Sequence, residues 1–383
     1  MTMRNLLLHF LSLASVLTLA AASLTACGDK DNPAGDSSAT DTLRLAIAYD
    51  ASEVTLSGDV KRLDITQENA HVIISSAAKN YLEITVSGTS EDASLTVYRS
   101  HKWGLKFNGV NLTNPFGPVV NNQSTKSLFV DCCNGTVNTL TDGSHYANPP
   151  INAAGQQIDQ KGVFFSEGQL YLRGNGSLIV NGNAKNGIAS DDYIVLEGGN
   201  ISVNMAATAT NGLKANDGVF LRGGTLAVSV KGAGARGIRC DSTVVVEGGE
   251  TTITTEGGCK IAIDASTSQP DTTSAAGIKC NGKFTMSAGT LTITSTGDGG
   301  KGINSVDSVV VTGGTISVTT TGTNVNAKPK GVKSDRIIIL SGGAFHSKVK
   351  KSKACESGAD EWPVVIDPTK WVKQSKREVE VIY

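Results

Sequence analysis

The stretch Gly237–Gly258, "GIRCDSTVVVEGGETTITTEGG", contains two phrases that recur along the chain, and their spacing decides the fold. The first phrase is Gly, branched aliphatic, variable, small, Asp or Asn. It reads "GIASD" at Gly187, "GLKAN" at Gly212, "GIRCD" at Gly237, "GIKCN" at Gly277 and "GVKSD" at Gly331, with a looser "GINSV" at Gly302. Successive glycines lie 25, 25, 40, 25 and 29 residues apart, so the unit is 25 residues and carries two insertions. The second phrase ends in a small or Gly pair: Gly198-Gly199, Gly223-Gly224, Gly248-Gly249, Ala288-Gly289, Gly313-Gly314 and Gly342-Gly343. A weaker copy begins at Gly162.

Aligned on that pair, the copies show their secondary structure. Two and four residues before it stand Leu196 and Ile194, Leu221 and Val219, Val246 and Val244, Met286 and Phe284, Val311 and Val309, Leu340 and Ile338. Two residues after it stand Ile201, Leu226, Thr251, Leu291, Ile316 and Phe345. The intervening residues are mostly polar, which is a period of two and predicts strands. Glycines between two such strands suit a tight corner, where φ > 0 or close backbone approach penalises a side chain.

Strands at a fixed period with no helical segment between them make each unit one coil of a solenoid. A single coil cannot bury its apolar face, but stacked coils can. The leucine-rich repeat has a similar length, but its Leu-x-x-Leu-x-Leu framework is missing. The expected fold is all-β: a single-stranded, right-handed parallel β-helix with coils about 4.8 Å apart.

The sequence opens "MTMRNLLLHFLSLASVLTLAAASLTAC", with a basic start at Arg4, an apolar run and a small-residue site, as a secretory signal has. Leu24-Thr25-Ala26-Cys27 resembles the lipobox of bacterial lipoproteins, which implies acylation of Cys27 and a place in the cell envelope, lipid-anchored at the outer membrane. The expected organisation is a signal peptide over 1–26 and a flexible tether over 27–42. The β-helix follows over 43–347, with irregular coils to 161 and regular coils from 162, and 348–383 form a C-terminal cap. No later run reaches the roughly 20 apolar residues of a membrane span, so membrane contact is expected through the lipid alone.

Without residues 1–26 the chain keeps 33 cationic and 35 acidic side chains, a balance that gives no reason to expect nucleic acid. Six cysteines besides Cys27 lack metal-type spacing. Cys240 and Cys280 take the place held in other coils by Ser190, Ala215, Ser305 and Ser334, which reads as a buried stack of small residues; a disulfide between them is the alternative.

Four phrases point to a known family: "NYLEITVSGT", "GLKFNGVNLTNPFGPVV", "CCNGTVNTLTDGSHY" and "KGVFFSEGQLYLRGNGSLIVNG". Followed by the Gly-Ile coils, and over about Leu82 to Ser341, they resemble the carbohydrate-binding β-helix family of bacterial surface proteins, which is similar in shape to pectate lyases. The resemblance implies polysaccharide binding with calcium ions rather than cleavage. Family coils often carry Asp just before the Gly-Ile phrase. This chain has Asn186, Asn211, Arg236, Ala276, Lys301 and Lys330 there, a departure from that calcium pattern. Candidate calcium ligands are instead Asp191, Asp192, Asp217 and Asp241.

A cleaving enzyme on this fold is the competing class. A lyase would need clustered acids holding calcium beside an Arg or Lys base, and a hydrolase would need paired carboxylates. Asp191-Asp192 is the one adjacent carboxylate pair in the repeats, but neighbours on a strand point to opposite faces, and it also reads as an Asx turn. No catalytic residue is assigned. A structural or adhesive protein that binds other proteins is the third class.

The binding face is expected on the variable position of the Gly-Ile phrase, occupied by Ala189, Lys214, Arg239, Lys279, Asn304 and Lys333. Lys214, Arg239, Lys279 and Lys333 are the candidate ligand-binding residues, for acidic glycans such as polyuronates, together with the loop from Cys259 to Thr273. The competing reading pairs these cations with Asn216, Asp241, Asn281 and Asp335, two residues further on.

Overall fold

The computed structural model describes residues 42–152, 154–264, 266–358, 364–366 and 370–383. The signal segment, Cys27 and most of the tether therefore lie outside the described residues. Among the described residues the regular structure is β, apart from one short 3-10 turn at Val60–Arg62. No described helix is long and apolar enough to cross a membrane.

Two long sheets wrap around one apolar core. The narrower, 12-stranded sheet takes one strand per coil. Eleven of its strands run parallel, from His71–Ser76 to Lys353–Glu356, and Asp64–Glu68 joins antiparallel at the N-terminal edge. The chain is thus a β-solenoid of about 11 turns. The wider, 21-stranded sheet takes the two strands that flank the Gly pair, such as Thr243–Val246 and Glu250–Thr255.

Each coil stacks on the next in sequence register. Ile238 opposes Ile278, Arg239 opposes Lys279 and Cys240 opposes Cys280. The apolar positions before the Gly pair all face inward, and Val244, Val246, Phe284 and Val309 are fully buried. The small-residue column Ser190, Ala215, Cys240, Cys280, Ser305 and Ser334 is buried as well. Its hydroxyls do not go unpaired: Ser190 donates to the Gly168 carbonyl at 2.9 Å and Ser305 to the Gly282 carbonyl at 2.7 Å. Cys240 and Cys280 are free thiols, and burial pushes Cys240 up to about 11.

The two recurrent glycines serve different purposes. The second member of the Gly pair turns the corner in the left-handed region, as at Gly249, φ +71°. The glycine of the Gly-Ile phrase faces the core: a Cβ on Gly237 would lie 2.2 Å from Ile253 Cγ2. The Gly-Ile strand therefore directs two successive residues inward, glycine and aliphatic, and the residues on either side of them turn out.

Register also locates the earlier coils. Gly162 opposes Asn186, one place before Gly187, so that copy of the phrase is offset by one residue. Parallel pairing reaches back through Trp103–Asn114 and Leu82–Ser90 to Leu43–Asp50. At the other end Lys353–Glu356 still pairs parallel with Lys330–Ser334, beyond residue 347, and the chain then turns back antiparallel at Glu378–Ile382. The 40-residue spacing contains a hairpin, Lys260–Ile263 with Pro270–Thr273, projecting from a corner while Arg236–Cys240 pairs directly with Ala276–Cys280.

Substituting Val246→Asp places a charge against Val244's neighbours in the closed core and is expected to cost several kcal/mol. Chemical denaturation checks this; a midpoint equal to the parent's contradicts the inward assignment.

Candidate functional site

The outward face of the narrow sheet carries three columns of polar side chains. Because Gly237 and Ile238 both point inward, Arg236, Arg239 and Asp241 lie on the outer side. Repeated coil by coil, this places Lys214, Arg239, Lys279, Asn304 and Lys333 opposite one another in one unbroken row. Ala189 heads the row but is buried.

The row is only partly free to bind. Asp241 accepts from Lys214 and, at 2.5 Å, from Arg239. Lys214 also donates to Asn216 at 2.8 Å and Arg239 to Asn281 at 3.0 Å. Lys333 pairs with Asp335 at 2.5 Å. Lys279 differs: among the described residues it has no carboxylate partner. Burial and the neighbouring Arg239 charge hold its ammonium below the ordinary lysine range. The surplus positive charge of the row therefore lies at the Lys214–Arg239 pair, which share one carboxylate, and at Lys279, on which Asp335 acts only at a distance.

The four proposed calcium ligands do not converge. Asp192 accepts from Gln169, Asp241 is taken by the two cations, and Asp217 joins the Asp192 segment through its backbone N–H, at 3.0 Å from the Asp192 carbonyl. Asp191 instead meets Asp159 and Glu167, with carboxylate oxygens within 4.8 Å of one another. Burial, reinforced by the charges of Asp191 and Asp159, raises Glu167 to about 7. Three carboxylates are the right donors for a hard cation such as calcium. The place is contested, however, because the Lys161 ammonium pairs with Asp159 at 2.6 Å and with Asp191.

Sequence reasoning missed Asp159 and Glu167. Glu167 stands one coil before Asp191 in the same column, since Ser166 opposes Ser190, and the one-residue offset at Gly162 concealed it. Asp159 sits on a non-repeating loop. An outward aromatic row on the wide sheet was also unread. Phe129 stacks on Tyr171 at 4.8 Å, and Tyr193 follows edge-on, with Phe220 next. Arg173 covers Phe129 at 5.0 Å and Arg222 covers Phe220 at 5.6 Å, so these rings brace the coils.

The geometry defines a class: a β-solenoid with a charged, regularly spaced outer face. A family model described as carbohydrate-binding domain-containing protein matches residues 68–236 and 232–324. The chain belongs to that family. It is 29% identical over 194 residues to a carbohydrate-binding domain-containing protein of Acetivibrio thermocellus, a match covering 50% of this chain and 63% of the relative. Thus the match spans less than two thirds of that relative's length. Among solved structures, the polysaccharide lyase-like protein from C. thermocellum, as a gadolinium derivative, superposes with a TM-score of 0.56. That likeness has 22% identity and covers 70% of this chain and 97% of the other, and it concerns the fold.

If Lys161 serves as the built-in cation of the Asp159, Glu167 and Asp191 cluster, Lys161→Gln exposes three carboxylates to one another. Calcium at about 1 mM, a concentration matched to weak extracellular sites, should then raise the melting temperature of the variant by several degrees and the parent's little. Equal shifts in thermal melts contradict the competition between lysine and metal.

Proposed function

We propose that this chain is a lipid-anchored, non-catalytic polysaccharide-binding protein of the bacterial cell envelope, taking acidic glycans along the outer face of its narrow sheet. The family membership supports the carbohydrate, and the observation that carries the acidic preference is Lys279. A half-buried cation paired with no carboxylate among the described residues, Asp335 acting on it only at a distance, is an electrostatic demand for an anion. Its neighbours Arg239 and Asn304 stand one coil to either side, a step of about 4.8 Å that is comparable to a sugar ring. A uronate chain lying along the solenoid axis meets this row in matched spacing.

The non-catalytic reading draws support from Asp191 and Asp192, which turn to separate partners, Lys161 and Gln169, rather than to a common point. One observation favours a second reading. Lys161 among Asp159, Glu167 and Asp191 has the composition of a lyase centre, with acids to hold calcium and a lysine as base. Release of unsaturated sugar ends from polyuronate, abolished by Lys161→Gln, would establish that activity in place of simple binding. Calcium enters the binding reading as an ion held by those same three carboxylates once Lys161 moves aside.

Lys279→Gln alone is expected to weaken retention on acidic polysaccharide by about tenfold, or about 1.4 kcal/mol. Lys214→Gln, held by Asp241, should cost much less. Affinity electrophoresis of the protein lacking residues 1 to 27 reads both, and an unaltered K279Q places any acidic-glycan site on another surface. For the anchor, Cys27→Ser should move the full chain from the membrane fraction to the soluble one, because the acyl groups supply the attachment. Membrane association that survives C27S contradicts the lipid anchor.

A further inference from the structure

At the C-terminal end of the same outer face, cations outnumber the carboxylates. Lys301, Lys330 and Lys353 oppose one another in consecutive coils, in the column just before the Gly-Ile phrase. Lys333 stands beside them, and Lys328 and Lys351 come in from two adjoining turns. The returning C-terminal chain adds Lys376 and Arg377. Their carbonyls accept from the N–H groups of Ala354 and Val349, both at 2.9 Å, which fixes the turn at this place. Together these side chains line a cleft of about 680 Å³.

Among the described residues, one carboxylate lines the cleft with these eight cations. It is Glu356, already engaged by Lys330 and, at 3.1 Å, by Lys353. Lys328, Lys351, Lys376 and Arg377 have no carboxylate partner among the described residues. Lys301 meets a hydroxyl, Ser274 Oγ, at 2.6 Å. Its ammonium is held down to about 8 by burial and then by the charge of Lys333, with Lys279 and Lys330 adding to the effect and Cys259 opposing it. Such crowding of like charge costs stability in the empty protein and is relieved by a bound anion.

The count and type of donor indicate which anion. A carboxylate has two oxygens and one charge. A tetrahedral oxyanion ester presents three terminal oxygens, and compact ammonium groups approaching from several elements satisfy all three at once. A phosphate monoester also carries up to two charges near neutral pH.

We propose that this cleft binds a sulfate or phosphate ester carried on a glycan, a site separate from the Lys279 row and selective for esters over uronates. It rests on the glycan-binding reading for the polymer that bears the ester. The two sites fail independently: the row is tested by K279Q on polyuronate, the cleft by its own substitutions on esters.

The probes are length-matched oligosaccharides: sulfated dextran, phosphorylated dextran, plain dextran and oligogalacturonate. Calorimetric titration should show at least one ester binding about tenfold or more tighter than oligogalacturonate, with plain dextran weaker still. The tighter of the two esters identifies the group. Lys328→Gln, Lys351→Gln, Lys376→Gln and Arg377→Gln combined alter four exposed side chains, and should lower ester affinity about tenfold and flatten its salt dependence. Retention on polyuronate through Lys279 should be unchanged. K376Q/R377Q is the smaller variant if the fourfold one melts early, with the same direction expected. Ester binding should weaken as pH rises through about 8, where Lys301 loses its proton. Equal affinity for esters and oligogalacturonate, or ester binding indifferent to both variants, overturns the proposal.

Discussion

The structure depends on one steric constraint in its regular coils: a glycine facing the core immediately before the aliphatic residue of six successive narrow-sheet strands, from Asn186–Ser190 to Lys330–Ser334. A methyl group at Gly237 would overlap Ile253, and one at Gly212 would come 2.4 Å from Val228. In these coils glycine lets the two sheets close on each other, while the coils at either end of the run hold Val163 and Ala354 at the equivalent position. The same local departure from alternation puts the preceding residue on the outside. A packing requirement inside therefore creates a third outward column, the one that ends in Lys301, Lys330 and Lys353. The basic cleft follows from core geometry as much as from its lysines.

In-register stacking then turns a repeat in the sequence into columns in space. Its electrostatic consequence differs from one end of the face to the other. Near the start, Asp159, Glu167 and Asp191 gather around Lys161. In the middle, Asp241 is shared by Lys214 and Arg239. Towards the end lysines outnumber the acids that remain, Asp335 and Glu356 among them, and burial adds its own penalty on Lys279 and Lys301. A surface arranged this way gives a bound chain a direction, because a polyanion is attracted to one end and repelled by the other.

The period, the inward aliphatic positions, the corner glycines and the outward row could all be read from the sequence, because every one of them is a property of a residue and its equivalents one coil away. What could not be read depends on more than the repeat. Whether Lys214 is free or held by Asp241 is a question of side-chain reach across coils, which spacing alone leaves open. Asp159 lies on a loop with no equivalent, and Glu167 was concealed by the one-residue offset that sets Gly162 against Asn186. The cleft needs Lys376 and Arg377, which arrive from a segment that pairs antiparallel and so follows no repeat at all.

The hairpin between Lys260 and Thr273 leaves the ladder beside it in perfect step, since Arg236–Cys240 pairs with Ala276–Cys280 as though nothing intervened. Each coil is held chiefly by the coil before and the coil after, so the molecule has a mechanical as well as a chemical character. Pulled from its ends, such a stack yields one turn at a time. An ordinary turn releases roughly 80 Å of extended chain, and the turn bearing the hairpin releases more. Successive yielding of this kind dissipates work and keeps the remaining turns folded.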